Sequence, residues 1–318
     1  MRSEICSSDL NDSQKDVVLS CLVTRECNHQ NTVKLIWGPP GTGKTKTVGL
    51  LLFFLFQMKC RTVTCAPTNT AVLEVTQRLL KNVTQRLKYD TYGLGNIVLF
   101  GNRERMKIGD RHDLLDIFLD NRVCILYDCL VSSSGWKGSL LSMICLLEDP
   151  KRQYHLYLSE CDNPLTFGVL LQRKTKLLKN CIKNMYTHLP TSFISLEVVK
   201  KIIKALDCLE QVFSENLQLT NECLQILRSL PIKFPVPDFK YEWEIKKFCL
   251  ENSCLTFCTV SSSAKLHEVM ARWDLLVIDE GSQTKECESI IPLQLPGLRH
   301  AVLIGDERQL PAMVKSKV

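Results

Sequence analysis

Residues 36 to 48, IWGPPGTGKTKTV, constrain the fold more than any other stretch. An apolar run, Val33 to Trp37, leads into a glycine-rich turn, and an apolar helical pattern follows Thr45, so the segment reads as strand, loop and helix. Gly38, Gly41 and Gly43 allow backbone conformations that a Cβ forbids, so successive N–H groups can turn inward at a helix N-terminus and seat phosphate oxygens. Pro39, Pro40 and Thr42 complete the G-x-x-x-x-G-K-T spacing. In it Lys44 is the cation for the β- and γ-phosphates and Thr45 the hydroxyl for Mg²⁺. The chain is expected to bind ATP or GTP with Mg²⁺.

Short β-branched runs alternate with helical stretches, the mark of a parallel α/β sheet. The expected strands are Val33 to Trp37, Thr62 to Ala66, Asn96 to Phe100, Leu255 to Val260, Leu275 to Asp279 and Ala301 to Gly305. Between about 105 and 245 the pattern changes. Apolar residues there recur at helical spacing with lysines opposite, as in TFGVLLQRKTKLLKNCIKNMYTHL, and PIKFPVPDF reads as a linker back to the sheet. The expected division is 1–104, the first part of an α/β domain; 105–245, a mainly helical insertion; and 246–318, its second part.

Hydrophobic residues make up 45% of the chain, enough for a sizeable core. The longest apolar run, VGLLLFFLFQ, is about half a membrane span and is expected to be a buried helix. The amino terminus, MRSEICSSDLNDSQ, has no apolar core of a secretory signal. Sixteen cysteines are scattered through apolar stretches without a C-x-x-C, which suits reduced thiols inside a cell. The net charge of +6 only hints at a polyanionic partner.

A second motif, DLLVIDEGSQ at 274–283, brings two adjacent acids to the end of a strand, where open α/β sheets bind ligands. Hydrolysis needs one carboxylate to hold Mg²⁺ and another to orient and deprotonate water, roles that suit Asp279 and Glu280 respectively. These adjacent acids and the GDERQLP turn oppose a P-loop kinase or signalling GTPase.

LNDSQ, GPPGTGKT, TCAPTNTAV, FCTVSSSA, VIDEGSQ and LIGDERQLPA occur in this order, and the chain thereby resembles the superfamily 1 helicases of the senataxin-like and nonsense-decay-helicase-like (DNA2/NAM7-type) branch. The resemblance implies an α/β P-loop NTPase with a RecA-like parallel sheet and a mainly helical insertion. It implies that Gln14 reads the adenine edge and so selects ATP, and that Gln309 couples the γ-phosphate to nucleic acid. Lys44, Glu280 and Gln309 are then the catalytic residues, Thr45 and Asp279 the metal ligands. Thr68, Asn69 and Thr70 open a helix whose hydroxyls, amide and N–H groups can grip a nucleic-acid phosphate, and Ser261 and Ser262 in TVSSSA offer a second grip.

The family usually reads Asp-Glu-Ala-Ala-Gln where this chain has Gly281 and Ser282 in place of the alanines, and glycine is expected to loosen the turn around Glu280. A second RecA-like domain, which in this family supplies arginine fingers and half of the strand track, is expected to be absent. The implied function is an ATP-binding helicase domain whose hydrolysis drives translocation on nucleic acid, here truncated, not an autonomous helicase and by itself a weak ATPase. The alternative is a non-catalytic ATP- and nucleic-acid-binding module that competes with or partners intact helicases. The expected partners are single-stranded nucleic acid, RNA before DNA, and a protein supplying a second RecA-like domain, with no membrane; the expected location is nuclear or cytoplasmic.

Overall fold

The computed structural model describes residues 2–27, 29–133, 135–212, 217–306 and 308. The chain divides into two compact units, one of Met1–Lys88, Asn96–Asp120 and Lys247–Val318, the other of Tyr89–Gly95 and Asn121–Lys246.

The first unit is built on β1 (Thr32–Trp37), β2 (Thr62–Ala66), β3 (Ile97–Leu99), β4 (Leu255–Thr259), β5 (Leu275–Ile278) and β6 (His300–Gly305). All pair in parallel in the order β1-β6-β5-β2-β4-β3. Each expected strand is present, within one or two residues at its ends. Parallel pairing requires crossovers. Of the helices, α1 (Arg2–Cys6) and α2 (Asp12–Glu26) precede β1, α3 (Lys44–Gln57) links β1 to β2, and α4 (Asn69–Thr84) follows β2.

Central strands lie buried on both faces, as β2, β4 and β5 do at every position, threonines included. Strand β1 is at the sheet edge and alternates instead, leaving Val33, Leu35 and Trp37 exposed at 61, 77 and 54%. The VGLLLFFLFQ run lies within α3 and is buried from Leu51 to Leu55, apolar all round as expected of a core helix. Each such Leu or Phe contributes roughly 1.5–3 kcal/mol by leaving water. At Gly49 a Cβ would meet Arg78 Cγ at 2.5 Å, so the missing side chain lets α3 close on α4.

The second unit is helical, with α5 (Leu119–Leu130), α6 (Trp136–Glu148), α7 (Pro150–Glu160), α8 (Phe167–His188), α9 (Leu196–Val212) and α10 (Leu217–Lys233), the first beginning just before the unit boundary. Leu140, Met143, Leu178, Ile182, Val199 and Leu227 are among its core residues, placed by the helical spacing seen in the sequence. The two terminal nitrogens of buried Arg122 donate to the carbonyls of Leu94 and Gly95 at 3.0 and 3.2 Å. The proline-rich return begins later than its sequence suggests, because α10 runs through Pro231 to Lys233; a proline in the last turn removes only one amide donor. Two further helices, α11 (Glu242–Asn252) and α12 (Glu286–Leu293), lead into β4 and follow β5. No helix among the described residues is long and apolar enough to cross a membrane.

Candidate nucleotide and nucleic-acid site

The carboxyl ends of the parallel strands place the sequence motifs along one edge of the sheet. The loop after β1 lies beside the end of β6, where Trp37 pairs with Gly305 and the Gly38 N–H donates to the Gly305 carbonyl at 3.3 Å. Strand β5 ends between β6 and β2, and the Asp279 N–H donates to the Cys65 carbonyl at 2.9 Å.

Three glycines of the P-loop are required by the geometry. Gly43 caps α3 in the left-handed region at φ 78°, and a Cβ there would lie 2.7 Å from the Gln14 amide nitrogen. At Gly38 a Cβ would stand 2.8 Å from Thr42 Oγ1, inside the cradle. Gly41 is also left-handed, at φ 77°, while Pro39, Pro40 and Thr42 complete the turn, with the Thr42 hydroxyl donating to the Pro39 carbonyl at 2.7 Å. The Lys44 ammonium folds back on the loop and donates to the Gly38 carbonyl at 2.7 Å and to that of Pro39 at 3.4 Å. Thr45 follows in the first turn of α3.

Gln14 is held against the same loop. Its Oε1 accepts from the Asn11 N–H at 3.1 Å while the Gln14 N–H donates to Asn11 Oδ1 at 2.9 Å, a reciprocal cap on α2. Its Nε2 donates to the Thr42 carbonyl at 2.8 Å. Each end of the amide makes one bond to the protein, which leaves the second N–H of Nε2 and a lone pair of Oε1 for a base.

Asp279 is 2% exposed. Burial pushes its pKa from 3.8 up to about 6, the neighbouring Glu280 carboxylate adds to the push, and the Glu280 N–H and the Lys44 ammonium pull it down. The P-loop after β1 and the acids after β5 stand at the same carboxyl edge of the sheet, where the Lys44 ammonium favours the charged form of Asp279. Glu280 itself sits in the left-handed region at φ 52°, which turns the chain sharply after β5.

The sequence reading missed three residues here. Gln283 Nε2 donates to Glu280 Oε2 at 3.1 Å and so holds the second acid. Ser282 Oγ accepts from the Asp306 N–H at 3.4 Å, and the backbone N of Ser282 lies 2.9 Å from where a Cβ of Gly305 would be, so the acid turn presses on the end of β6. Glu74, on α4, bears electrostatically on Asp279. The Gln283 spacing was legible in VIDEGSQ; the other two contacts join segments distant in the chain.

Thr68 is the N-cap of α4, its Oγ1 accepting from the Ala71 N–H at 3.2 Å, with Asn69 and Thr70 beginning the helix. Ser261 and Ser262 open a 3-10 helix after β4. Thr259 Oγ1 accepts from the Ser262 N–H at 3.2 Å and donates to Ser262 Oγ at 2.7 Å. Ser261 is exposed, whereas Ser263 is buried and donates to the Val260 carbonyl at 2.6 Å. Both hydroxyl-bearing turns lie at carboxyl ends of adjacent strands, since β2 pairs with β4. Gln309 lies outside the described residues.

A family model described as AAA domain matches residues 9–135 and 159–317. The chain belongs to this family. Among curated proteins it is 25% identical to the helicase sen1 of Schizosaccharomyces pombe over 90% of this chain and 16% of that protein. It is 21% identical to the putative ATP-dependent RNA helicase ECM32 of Saccharomyces cerevisiae over 97% of this chain and 19% of that one. It is 24% identical to the DNA polymerase alpha-associated DNA helicase A of S. pombe over 98% of this chain and 33% of that one. The chain thus spans a third or less of the length of these relatives. Family and relatives together make the first unit a superfamily 1, helicase-type ATP-binding domain on a RecA-like sheet.

Proposed function

We propose that the chain binds Mg²⁺-ATP between the P-loop and the β5 acids, hydrolyses it, and couples that cycle to its grip on a single nucleic-acid strand. The observation that carries the reading is the convergence of Lys44, Asp279 and Glu280 at one sheet edge, beside a loop where a Cβ at Gly38 or Gly43 would strike Thr42 or Gln14.

In this reading Gly38 to Thr45 hold the phosphates, with Thr45 and Asp279 as metal ligands. The cation, when bound, neutralises charge developing on the transferred phosphoryl group. The Lys44 ammonium leaves the carbonyls of Gly38 and Pro39 for the β- and γ-phosphates. Glu280, steadied by Gln283, accepts the proton of the attacking water, and Gln14 meets the adenine edge with its second N–H and its amide oxygen. Gln309 couples the γ-phosphate to the strand. The strand rests on Thr68, Asn69, Thr70, Ser261 and Ser262, whose free donors meet phosphates without reading bases.

RNA is the strand we place first, because one relative's name specifies RNA, and DNA, specified by another's, is the competing outcome. A second RecA-like domain, from a longer chain or a partner, would close the cleft. A nuclear or cytoplasmic location follows from the same reading.

Isothermal calorimetry tests the core of the proposal. Lys44→Ala should weaken Mg²⁺-ATP binding at least tenfold, GTP should bind the unmutated chain less well than ATP, and Gln14→Ala should shrink that preference. Unchanged ATP affinity in Lys44→Ala would refute the site. Tight ATP binding with no turnover, even beside a second RecA-like domain, would favour the non-catalytic module instead.

A further inference from the structure

The amino edge of the sheet, opposite the P-loop, holds a cleft of about 620 Å³. Its walls come from three segments far apart in sequence: the last turn of α2 brings Arg25 and Glu26, the approach to β5 brings Arg272 and Asp274, and the approach to β6 brings Arg299 and His300. Guanidinium groups gathered at one cleft repel one another unless an anion joins them. Two carboxylates are present, and Asp274 Oδ2 already accepts from the Arg61 N–H at 3.1 Å. Among the described residues neither Arg25 nor Arg272 forms an ion pair.

The cleft is also braced. Buried His300 bridges two of its walls, Nε2 donating to the Cys27 carbonyl at 3.0 Å and Nδ1 bonding Thr32 Oγ1 at 2.8 Å. This ties the end of α2, which carries Arg25, to the start of β6. Gly297 adopts φ 78°, and a Cβ there would stand 2.9 Å from Arg272 Cβ, so the turn before β6 packs directly on the Arg272 stem. The Trp273 N–H donates to the Pro296 carbonyl at 2.9 Å and fixes the same two segments together. The backbone behind all three arginines is thus held in place before any ligand arrives.

We propose that this cleft is a phosphate-binding site, separate from the nucleotide site. Guanidinium forks match phosphate oxygens in pairs, which suits Arg25 and Arg272, and the charge to be met is close to two on a terminal phosphate and one on a phosphodiester. Free pyrophosphate and the phosphodiester of a nucleic-acid strand share this chemistry.

The test uses the full chain carrying Lys44→Ala, which weakens phosphate binding at the P-loop. Pyrophosphate is titrated by calorimetry and a labelled single-stranded oligonucleotide by fluorescence anisotropy, before and after adding Arg25→Ala with Arg272→Ala. A tenfold or greater loss of pyrophosphate binding assigns the cleft to small phosphates. The same loss for the oligonucleotide alone assigns it to a strand backbone, and either outcome supports the site. Binding of both probes unchanged by the double substitution, or absent before it, overturns the proposal. Circular dichroism melts check folding, and Arg272→Gln alone replaces the pair if the double variant melts early.

Discussion

Asp279 is a carboxylate almost sealed from water, and burial raises its pKa to about 6. Its folded pKa lies above its unfolded value of 3.8, so the folded chain binds the proton more tightly between roughly pH 4 and 6. Stability from this group is therefore greatest below that window and falls as pH rises through about 6, leaving a cost of the order of 3 kcal/mol above it. Asp279→Asn should raise the Tm of the metal-free chain by several degrees at pH 8 and by only about a third as much at pH 4.5; equal shifts at both pH values would contradict the assignment. Gly281 gives a second prediction at this scale. A Cβ there would meet the Ile304 carbonyl at 3.4 Å, and Gly281 is not among the left-handed glycines, so alanine, the family's usual residue, fits. Gly281→Ala should stabilise the chain by roughly 0.4–1 kcal/mol through the entropy of the unfolded state. A lower Tm would show that the turn needs the glycine.

Helix α4 shows how one element can serve both the fold and the proposed strand track. The Thr68 hydroxyl accepts from Ala71, so Thr68→Ala should cost about 1 kcal/mol in denaturant unfolding, while Thr68→Asn keeps a capping oxygen and should cost less. The remaining donors of the α4 turn and of the turn opened by Ser261 form half a track in our reading. Non-specific binding of this kind is expected at about 10⁻⁴ to 10⁻⁶ M and should weaken steeply with salt. Replacing Asn69 and Ser262 together by glutamate should abolish single-strand binding in anisotropy. Retained binding that disappears only when residues 150–230 are deleted would move the interface to the lysine-bearing helices of the second unit.

Taken whole, the described residues contain one RecA-like sheet. A translocase moves by closing two such domains on ATP and opening them again, each holding the strand in turn. Without an arginine finger from the opposite wall, the transition state loses about 10³- to 10⁵-fold in rate, or roughly 4–7 kcal/mol. Assayed by themselves, these 318 residues should bind Mg²⁺-ATP, turn it over slowly in a coupled assay and fail to separate a tailed duplex. Measured unwinding by the monomer would overturn that expectation.

Local chemistry was enough to read the P-loop, the paired acids and all the strands of the sheet. Strands and phosphate loops are short-range patterns, set by β-branched runs and by glycines at fixed offsets. Those same patterns carry no information about neighbours distant in the chain. The run Val33 to Trp37 is as apolar as that of a central strand, yet the order of pairing puts β1 at the edge and exposes Leu35 and Trp37. The serines of TVSSSA look alike in the sequence, but backbone geometry buries Ser263 and leaves Ser261 exposed. Gln14 engages Thr42, and Ser282 meets Asp306, only because the fold brings segments more than twenty residues apart within hydrogen-bonding distance. The kinds of chemistry available were therefore written in the sequence, whereas the tertiary fold decided which groups meet and how deeply Asp279 is withdrawn from water, since desolvation depends on everything packed around it.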